Sequence, residues 1–461
     1  MKGVQHEGRR AFSGGSVGLA ARQVALEILM AVERRGSYAD AMLGTRVPVL
    51  PPPDRRLATR LVLGTIAWRG RLDYELRHFC GRDLAQIQAE ALTIMRMGLL
   101  QIRFLDRIAP HAAVSTSVEL AKRSHEARVA AGFVNAVLRR ATREKVALPV
   151  RSDDEVGWLA IAYSHPRWMV EGFIDWFGRE AAETLMAANN QAAPNVVRLN
   201  LARAPREQIV RRLQADGMEV EAVGRFPETA TLEGAARFDS ATYRGGFFQA
   251  QSEASQLVAR LLAPPHGGAV VDCTAAPGGK AAHLAELVGE DGRVTAVDRN
   301  FAGLKNARRL CRRLRHRNVL FVQADTSSPL PLARGFDCVL LDAPCTGLGT
   351  LRAHPEIRWR LKPGDTARMA VLQSRMLTNA AALVRPGGAI VYSVCSLAPE
   401  EGENVVRAFL DTHRVFELDL HASGGDAFKG LLDTQGMMRT RPDQGGLDGF
   451  FAARLIRAAV F

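Results

Sequence analysis

The sequence of 461 residues predicts an α/β fold, a doubly wound parallel sheet, preceded by an all-helical module and a small α+β segment. Three observations carry this. From Gly268 onward, short apolar runs alternate with helical patterns, which demands parallel crossovers. From Val17 to about Arg143, apolar residues recur only at three- and four-residue spacing. Several of the later apolar runs end in an acidic residue and dissolve into glycine, and ligands of open α/β sheets bind outside the carboxyl ends of the strands.

Taken in order, Met1 to about Ser16 lacks apolar patterning and is expected to be a disordered tail. Helices are expected at Ala21–Val32, Arg55–Ile66, Ala89–Leu105, Val114–Lys122 and Gly132–Ala141, with Arg on their outer faces. The Pro48–Pro53 run breaks the first of these from the second. Lys145–Asp154 reads as a linker. Trp158–Asn190 is helical again, and Asn195–Ala222 reads strand, helix, strand, before a helix at Ala254–Leu262. The sheet then has strands at Ala269–Asp272, Arg293–Asp298, Val319–Gln323, Cys338–Leu341 and Ala389–Val394. Helices lie between them near Lys280–Val288, Phe301–Leu314 and Ala367–Leu383. The expected domains are therefore 17–145, 155–255 and 256–461.

The net charge is +13, which favours a polyanionic partner over a small neutral metabolite. No apolar run is long enough to cross a bilayer and the start lacks a signal-peptide core, so a cytoplasmic protein is expected. The six cysteines are scattered without a Cys-x-x-Cys pair or clustered His partners, so neither disulfides nor a metal site is expected.

The strand ending at Asp272 runs into Cys273-Thr274-Ala275-Ala276-Pro277-Gly278-Gly279-Lys280 and then a helix. Two glycines let the backbone approach a ligand closely, with helix amides behind. The loop is neither a phosphate-binding loop nor a dinucleotide fingerprint, which excludes a nicotinamide dehydrogenase. Asp298 lies about 20 residues on, where it suits ribose hydroxyls, and Asp325 after the third strand suits an adenine amino group. Singly, such acids are usually caps; three in succession beside a Gly-Gly turn point to S-adenosyl-L-methionine.

The strand Cys338–Leu341 stops at Asp342-Ala343-Pro344-Cys345, where Pro344 marks its exit from the sheet. The strand Ala389–Val394 runs into Cys395-Ser396. Two thiols and a carboxylic acid thus reach one sheet edge beside a methyl donor. Carbon 5 of a pyrimidine is a poor nucleophile until a thiolate adds to carbon 6. An acid such as Asp342 at the neighbouring ring nitrogen stabilises the charge that develops. Cys80, Cys273, Cys311 and Cys338 have no partner acid and read as small core side chains.

These residues resemble the Sun/Fmu-type bacterial cytosine-5 methyltransferases of small-subunit ribosomal RNA, over roughly Val17 to Ala459. Asp272 to Lys280 is similar to the family's cofactor loop, Asp342–Cys345 to its Asp-Ala-Pro-Cys motif and Ser393–Ser396 to its Ser-Thr-Cys-Ser motif. Arg439–Pro442 through Asp448–Phe451 resembles its closing motif. Asp54–Arg56, Leu63–Gly64 and Phe133–Arg139 resemble the NusB RNA-binding domain. The resemblance implies a Rossmann-like S-adenosylmethionine-dependent methyltransferase sheet behind a NusB-like helical domain. It further implies Cys395 as the attacking thiol, Cys345 as the releasing one, and Asp342 in both acid and cofactor roles. The implied partner is ribosomal RNA, unassembled or partly assembled, acted on by a monomer. Three positions depart from the pattern: Thr274 for Cys, Val394 for Thr and Ser252 for Asp. A non-catalytic RNA-binding factor on the same shell is the alternative, and undetectable cofactor binding would favour it.

Overall fold

The computed structural model describes residues 18–420 and 425–459; the expected tail at 1–16 lies outside the described residues. The chain forms two compact units, one of residues up to Asn190 together with Ala353–Arg360, the other of Gln191–Arg352 and the residues from Leu361 on. The segment expected as one subdomain over 155–255 is therefore divided at Asn190.

The first unit is helical. Its helices include Leu19–Arg35, Pro52–Ala67, Ala89–Phe104, Pro110–Arg123 and Ala131–Arg143. The helix Ala89–Phe104 is buried on every face from Ala91 to Gln101 and forms the centre of the bundle. The helix Pro52–Ala67 begins inside the proline run, because a proline in the first turn gives up no helical hydrogen bond. Helices at Ala39–Arg46 and Arg69–Cys80 were not expected from the pattern. In the second of these only Leu72, Glu75, Leu76 and Phe79 are buried, and Arg and Gly dilute the apolar stripe. Three further helices, Glu155–Ala162, Arg167–Phe177 and Arg179–Asn189, complete the run to Asn190.

Eight residues encoded far downstream belong to this helical unit. Arg358 is fully buried and donates to the carbonyls of Ala67, Ser164 and Asn189 and to Asn190 Oδ1, at 2.8 to 3.2 Å. No carboxylate pairs with it among the described residues, and burial pulls its guanidinium down to about 9. Trp359 Nε1 donates to Ile66 O at 2.7 Å, and Glu356 accepts the Ala39 amide at 3.0 Å.

The second unit holds two sheets. The smaller contains β1 (Asn195–Leu199), β2 (Val220–Val223), β3 (Thr229–Leu232) and β4 (Phe248–Ala250), in the antiparallel order β2-β3-β1-β4. Beyond the expected strand, helix, strand, this adds β3 and β4, whose short runs carry little alternation. The larger sheet contains β5 (Ala269–Asp272), β6 (Arg293–Asp298), β7 (Val319–Gln323), β8 (Phe336–Asp342), β9 (Val384–Val394), β10 (Phe416–Leu418), β11 (Met438–Thr440) and β12 (Phe450–Arg457). Its order is β10-β12-β9-β8-β5-β6-β7, with β11 paired to β12. The strands from β5 to β9 are parallel and β12 is antiparallel to β9.

Alternate residues of β5, β8 and β9 feed two cores. Val270, Leu340 and Val391 pack on one face against the helices Glu253–Leu262 and Gly279–Val288; Val271, Val339, Leu341 and Tyr392 pack on the other against Asp365–Ala381 and Glu403–Thr412. Both faces are covered, which explains why these strands read as continuous apolar runs. The chain builds outward through β6 and β7 and then returns to the opposite side of β5 with β8. That reversal opens a crevice at the carboxyl ends of β5 and β8.

Candidate active site

The crevice is lined first by the loop after β5. Thr274 N donates to Asp272 Oδ1 at 3.2 Å, Ala275 N to Val297 O at 2.8 Å and Ala276 N to Asp298 Oδ2 at 3.0 Å. Gly278 has φ +111°, and a Cβ there would meet Ala307 Cα at 2.7 Å, so the loop must pass close to the helix Phe301–Leu314. Pro277 is exposed at the tip. From the smaller sheet, the fully buried Arg198 donates to Gly279 O at 2.9 Å and pairs with Glu286 at 2.9 Å, fixing the loop from behind.

Asp298 ends β6 and accepts both the Ala276 amide and, at 2.7 Å, the Asn300 amide. Asp325 lies two residues past the end of β7. It is exposed and accepts the Ser327 amide at 2.9 Å, which holds its carboxyl below the usual range. Its neighbours tie it to the same rim: Ala324 N donates to Asp298 O at 3.2 Å and Thr326 Oγ1 to Cys273 O at 2.6 Å.

Asp272 is buried at the centre of this group. Burial pushes its carboxyl up to about 7, with Asp342 and Asp298 adding to the rise while the Thr274 amide and Lys280 oppose it. Its Oδ2 is buried without a hydrogen-bond partner.

Strands β8 and β9 deliver the remaining groups. Asp342 pairs in register with Ser393, so Cys345 and Cys395 leave adjacent parallel strands at nearly the same height. Their Sγ atoms are 3.1 Å apart. Cys345 is pushed well above the usual thiol range, first by its bond to Cys395, then by burial and by the charges of Cys395 and Glu401. Either sulfur can serve as the donor of this pair. Asp342 Oδ1 accepts Ser393 Oγ at 2.7 Å, and its Oδ2 lies 2.7 Å from Lys280 Nζ. Burial pulls the Lys280 ammonium down, but Asp342 more than offsets this and the net shift is upward. Lys280, expected as part of the cofactor loop, thus spends its side chain on Asp342.

The sequence reading missed Glu401. Its buried carboxylate accepts Thr346 N at 2.9 Å and Gln373 Nε2 at 3.0 Å on Oε1, and Ser396 Oγ at 2.5 Å and Thr346 Oγ1 on Oε2. Four donors from the loop after Cys345, the loop after Cys395 and a flanking helix meet on one side chain. The only local signal was a cluster of three glutamates at Glu400, Glu401 and Glu403, which looks like a solvated turn.

The departures from the family pattern have local explanations. Thr274 Oγ1 donates to Asp342 O at 2.9 Å and joins the two loops. Ser252 caps the helix Glu253–Leu262 through Ser255 N. Val394 is fully buried in the apolar core, where a hydroxyl would need a partner. The other four thiols have no such partner: Cys273 sits in the loop after β5 with its side chain in the core, and Cys80, Cys311 and Cys338 lie elsewhere. Cys273, Cys311 and Cys338 are buried and burial raises each of them, Cys311 to about 12 and Cys338 to about 11; Cys80 lies in the helical unit and rises to about 11.

Comparison with known proteins identifies the family. Residues 259–456 match the family described as 16S rRNA methyltransferase RsmB/F. Residues 19–143 match the NusB family, and 165–239 match the ferredoxin-like domain of RsmF/B-like methyltransferases. The probable ribosomal RNA small subunit methyltransferase B of Bacillus subtilis is 33% identical over 444 residues, covering 93% of this chain and 97% of the relative. The chain belongs to the RsmB/F family of 16S rRNA methyltransferases. Within that family, ribosomal RNA small subunit methyltransferase B of Xylella fastidiosa (strain Temecula1) is 34% identical, with 96% of this chain and 99% of the relative covered. The crystal structure of PH0851 superposes with a TM-score of 0.81 at 27% identity, covering 96% of this chain and 99% of that one. Like its family, the chain is an S-adenosylmethionine-dependent methyltransferase with an N-terminal NusB domain. Among the described residues, no helix is long and apolar enough to cross a membrane.

Proposed function

We propose that this chain methylates carbon 5 of a cytosine in small-subunit ribosomal RNA through a covalent bond between Cys395 and carbon 6 of the base. The observation that carries the reading is the pair of sulfurs 3.1 Å apart, beside a carboxylate–ammonium pair, at the rim of the sheet.

S-adenosylmethionine, when bound, supplies the methyl group as an electrophilic sulfonium. The crevice suits it: Asp272 Oδ2 is a buried acceptor with no protein donor, matched to an ammonium group, and Gly278 keeps the backbone open for close approach. Thr274 to Gly279 would line the amino-acid portion, Asp298 the ribose and Asp325 the adenine. Asp342 borders both the cofactor and the base.

Cys345 donates its S–H to Cys395, which stabilises the Cys395 thiolate that attacks carbon 6. As Cys395 adds, a proton from the Lys280 ammonium passes through Asp342, which Ser393 and Lys280 hold, to the ring nitrogen and neutralises the negative charge that builds up there. After methyl transfer the carbon 5 proton passes to water, the C–S bond breaks with its electron pair returning to Cys395, and Cys345, next to that bond, assists by donating its S–H to the departing sulfur. The RNA is held by the NusB and ferredoxin-like modules, and the target base leaves its stack to reach the thiols. A monomer acting on free or partly assembled RNA satisfies these requirements.

The test is incubation of the protein with methyl-labelled S-adenosylmethionine and small-subunit ribosomal RNA lacking the modification. Label recovered as 5-methylcytidine is expected. Cofactor binding without label on any cytosine would overturn the proposal.

A further inference from the structure

The chain's positive charge is concentrated in one place that the chemistry does not use. Residues 299–324 contain seven arginines, one lysine and no acidic residue, a net +8 against +13 for the whole chain. The helix Phe301–Leu314 buries Leu304, Ala307, Cys311 and Leu314 and exposes Lys305, Arg308, Arg309 and Arg312, so one face is entirely cationic; Arg315 and Arg317 extend it past the helix end. Among the described residues, no carboxylate lies within ion-pair distance of any of these six side chains, whereas Arg198, Arg260, Arg352 and Arg454 of the same unit are each paired with one.

A second element of the same unit adds to this face. Asn200 Nδ2, just past β1, donates to Leu314 O at 3.0 Å, and Arg313 donates to Tyr243 O at 2.7 Å and Phe248 O at 3.0 Å, locking the smaller sheet onto the helix end. This brings Arg203 and Arg212 beside Arg315. The guanidinium of Arg203 is held below its usual range by burial and by the charges of Arg315 and Arg212. Arg203 and Arg212 share the ring of Phe247, at 5.4 and 4.5 Å, which fixes their orientation. Mutual repulsion of like charges opposes such an arrangement, and a bound polyanion removes that opposition. A row of guanidiniums with no acid between them matches a run of phosphates.

We propose that the face formed by Lys305, Arg308, Arg309, Arg312 and Arg315, continued by Arg203 and Arg212, binds the phosphodiester backbone of the substrate RNA without reading its sequence. This rests on RNA being the substrate; it adds where the backbone is held.

The experiment compares the full-length protein with R308E/R309E/R312E and with a control of equal charge change, R368E/R407E/R414E, elsewhere on the same unit. None of these residues lies in the crevice. Affinity for protein-free, transcribed small-subunit ribosomal RNA, and for an unrelated RNA of equal length, is measured across a salt series. The helix variant is expected to bind both RNAs at least about tenfold more weakly near 0.1 M salt. Its log–log salt slope should fall by about two, since each lost phosphate contact removes about 0.7 to 0.9. S-adenosylmethionine affinity should be unchanged. Wild-type RNA affinity and slope in the helix variant, or an equal loss in the control, would overturn the proposal. Loss of polyglutamate binding with RNA binding intact would assign the face to an acidic protein segment and also overturn it. If the native protein leaves cytosine unmethylated while the helix variant still loses RNA, the chemical reading fails and the surface stands; methylation and binding intact in the variant give the converse.

Discussion

Glu401 Oε1 lies 2.9 Å from the amide nitrogen of Thr346, the residue that follows Cys345, and the same carboxylate takes the hydroxyl of Ser396, the residue that follows Cys395. The spacing of the two sulfurs is therefore set from below by a group that touches neither. Replacing Glu401 with Ala should cost about 3 kcal/mol, because several buried donors lose a charged acceptor. E401Q keeps the volume and loses the charge. Because Glu401 helps push the Cys345 thiol up, E401Q should move the midpoint of Cys345 alkylation to lower pH in a Cys395→Ala background. An unmoved midpoint would leave Glu401 with a packing role only.

The two thiols should separate by phenotype. C395A is expected to lose turnover to background and to form no RNA adduct. C345A should bond to RNA and fail to release it, giving a retarded band on a denaturing gel. A trapped adduct in C395A, with C345A inert, would exchange the roles assigned to the two sulfurs.

Asp272 should make stability depend on pH in an unusual direction. Its carboxyl is raised to about 7 in the folded protein, against about 4 in an unfolded chain. Between those values the unfolded chain holds fewer protons than the fold. The contribution of Asp272 thus falls as pH rises from about 4 to about 7, by up to about 4 kcal/mol in total. Urea denaturation of wild type and D272N at pH 5 and pH 8 checks this: the difference between the two proteins should change in favour of D272N at the higher pH. A constant difference would contradict the assignment.

Gly349 is a steric prediction. A Cβ at this position would sit 1.8 Å from Gly449 O, where the two backbones cross and Gly449 N donates to Gly349 O at 2.7 Å. G349A should lower stability by about 3 kcal/mol and reduce methylation more than S-adenosylmethionine binding. Unchanged urea midpoints would show that the crossing relaxes easily.

The sheet was legible in the sequence because β5, β6 and β7 are short apolar runs whose bounds agree with the expected ones, and because Asp342 and Cys395 sit just where β8 and β9 stop. Family resemblance was legible for the same reason: it is carried by these strand ends. What escaped was the buried polar framework. Arg358, Arg198 and Glu401 are charged residues that pattern reading assigns to solvent, yet each is fully buried among hydrogen-bonding groups far away in sequence. Nothing within ten residues of Arg358 indicates that Ala67, Ser164 and Asn189 supply its acceptors. β3 and β4 were missed because four- and three-residue strands are stabilised by neighbours rather than by their own alternation.

The crossing at Gly349 and Gly449 also bears on how the protein is made. The loop after Cys345 is fastened to backbone encoded a hundred residues later, and β9, which delivers Cys395, is flanked by β12. During synthesis Cys345 and Cys395 emerge before the residues that hold them in place. The two sulfurs therefore reach their final spacing only after the Gly449 turn and β12 have emerged from the ribosome and docked, so a half-translated chain carries both thiols without the neighbours that hold them.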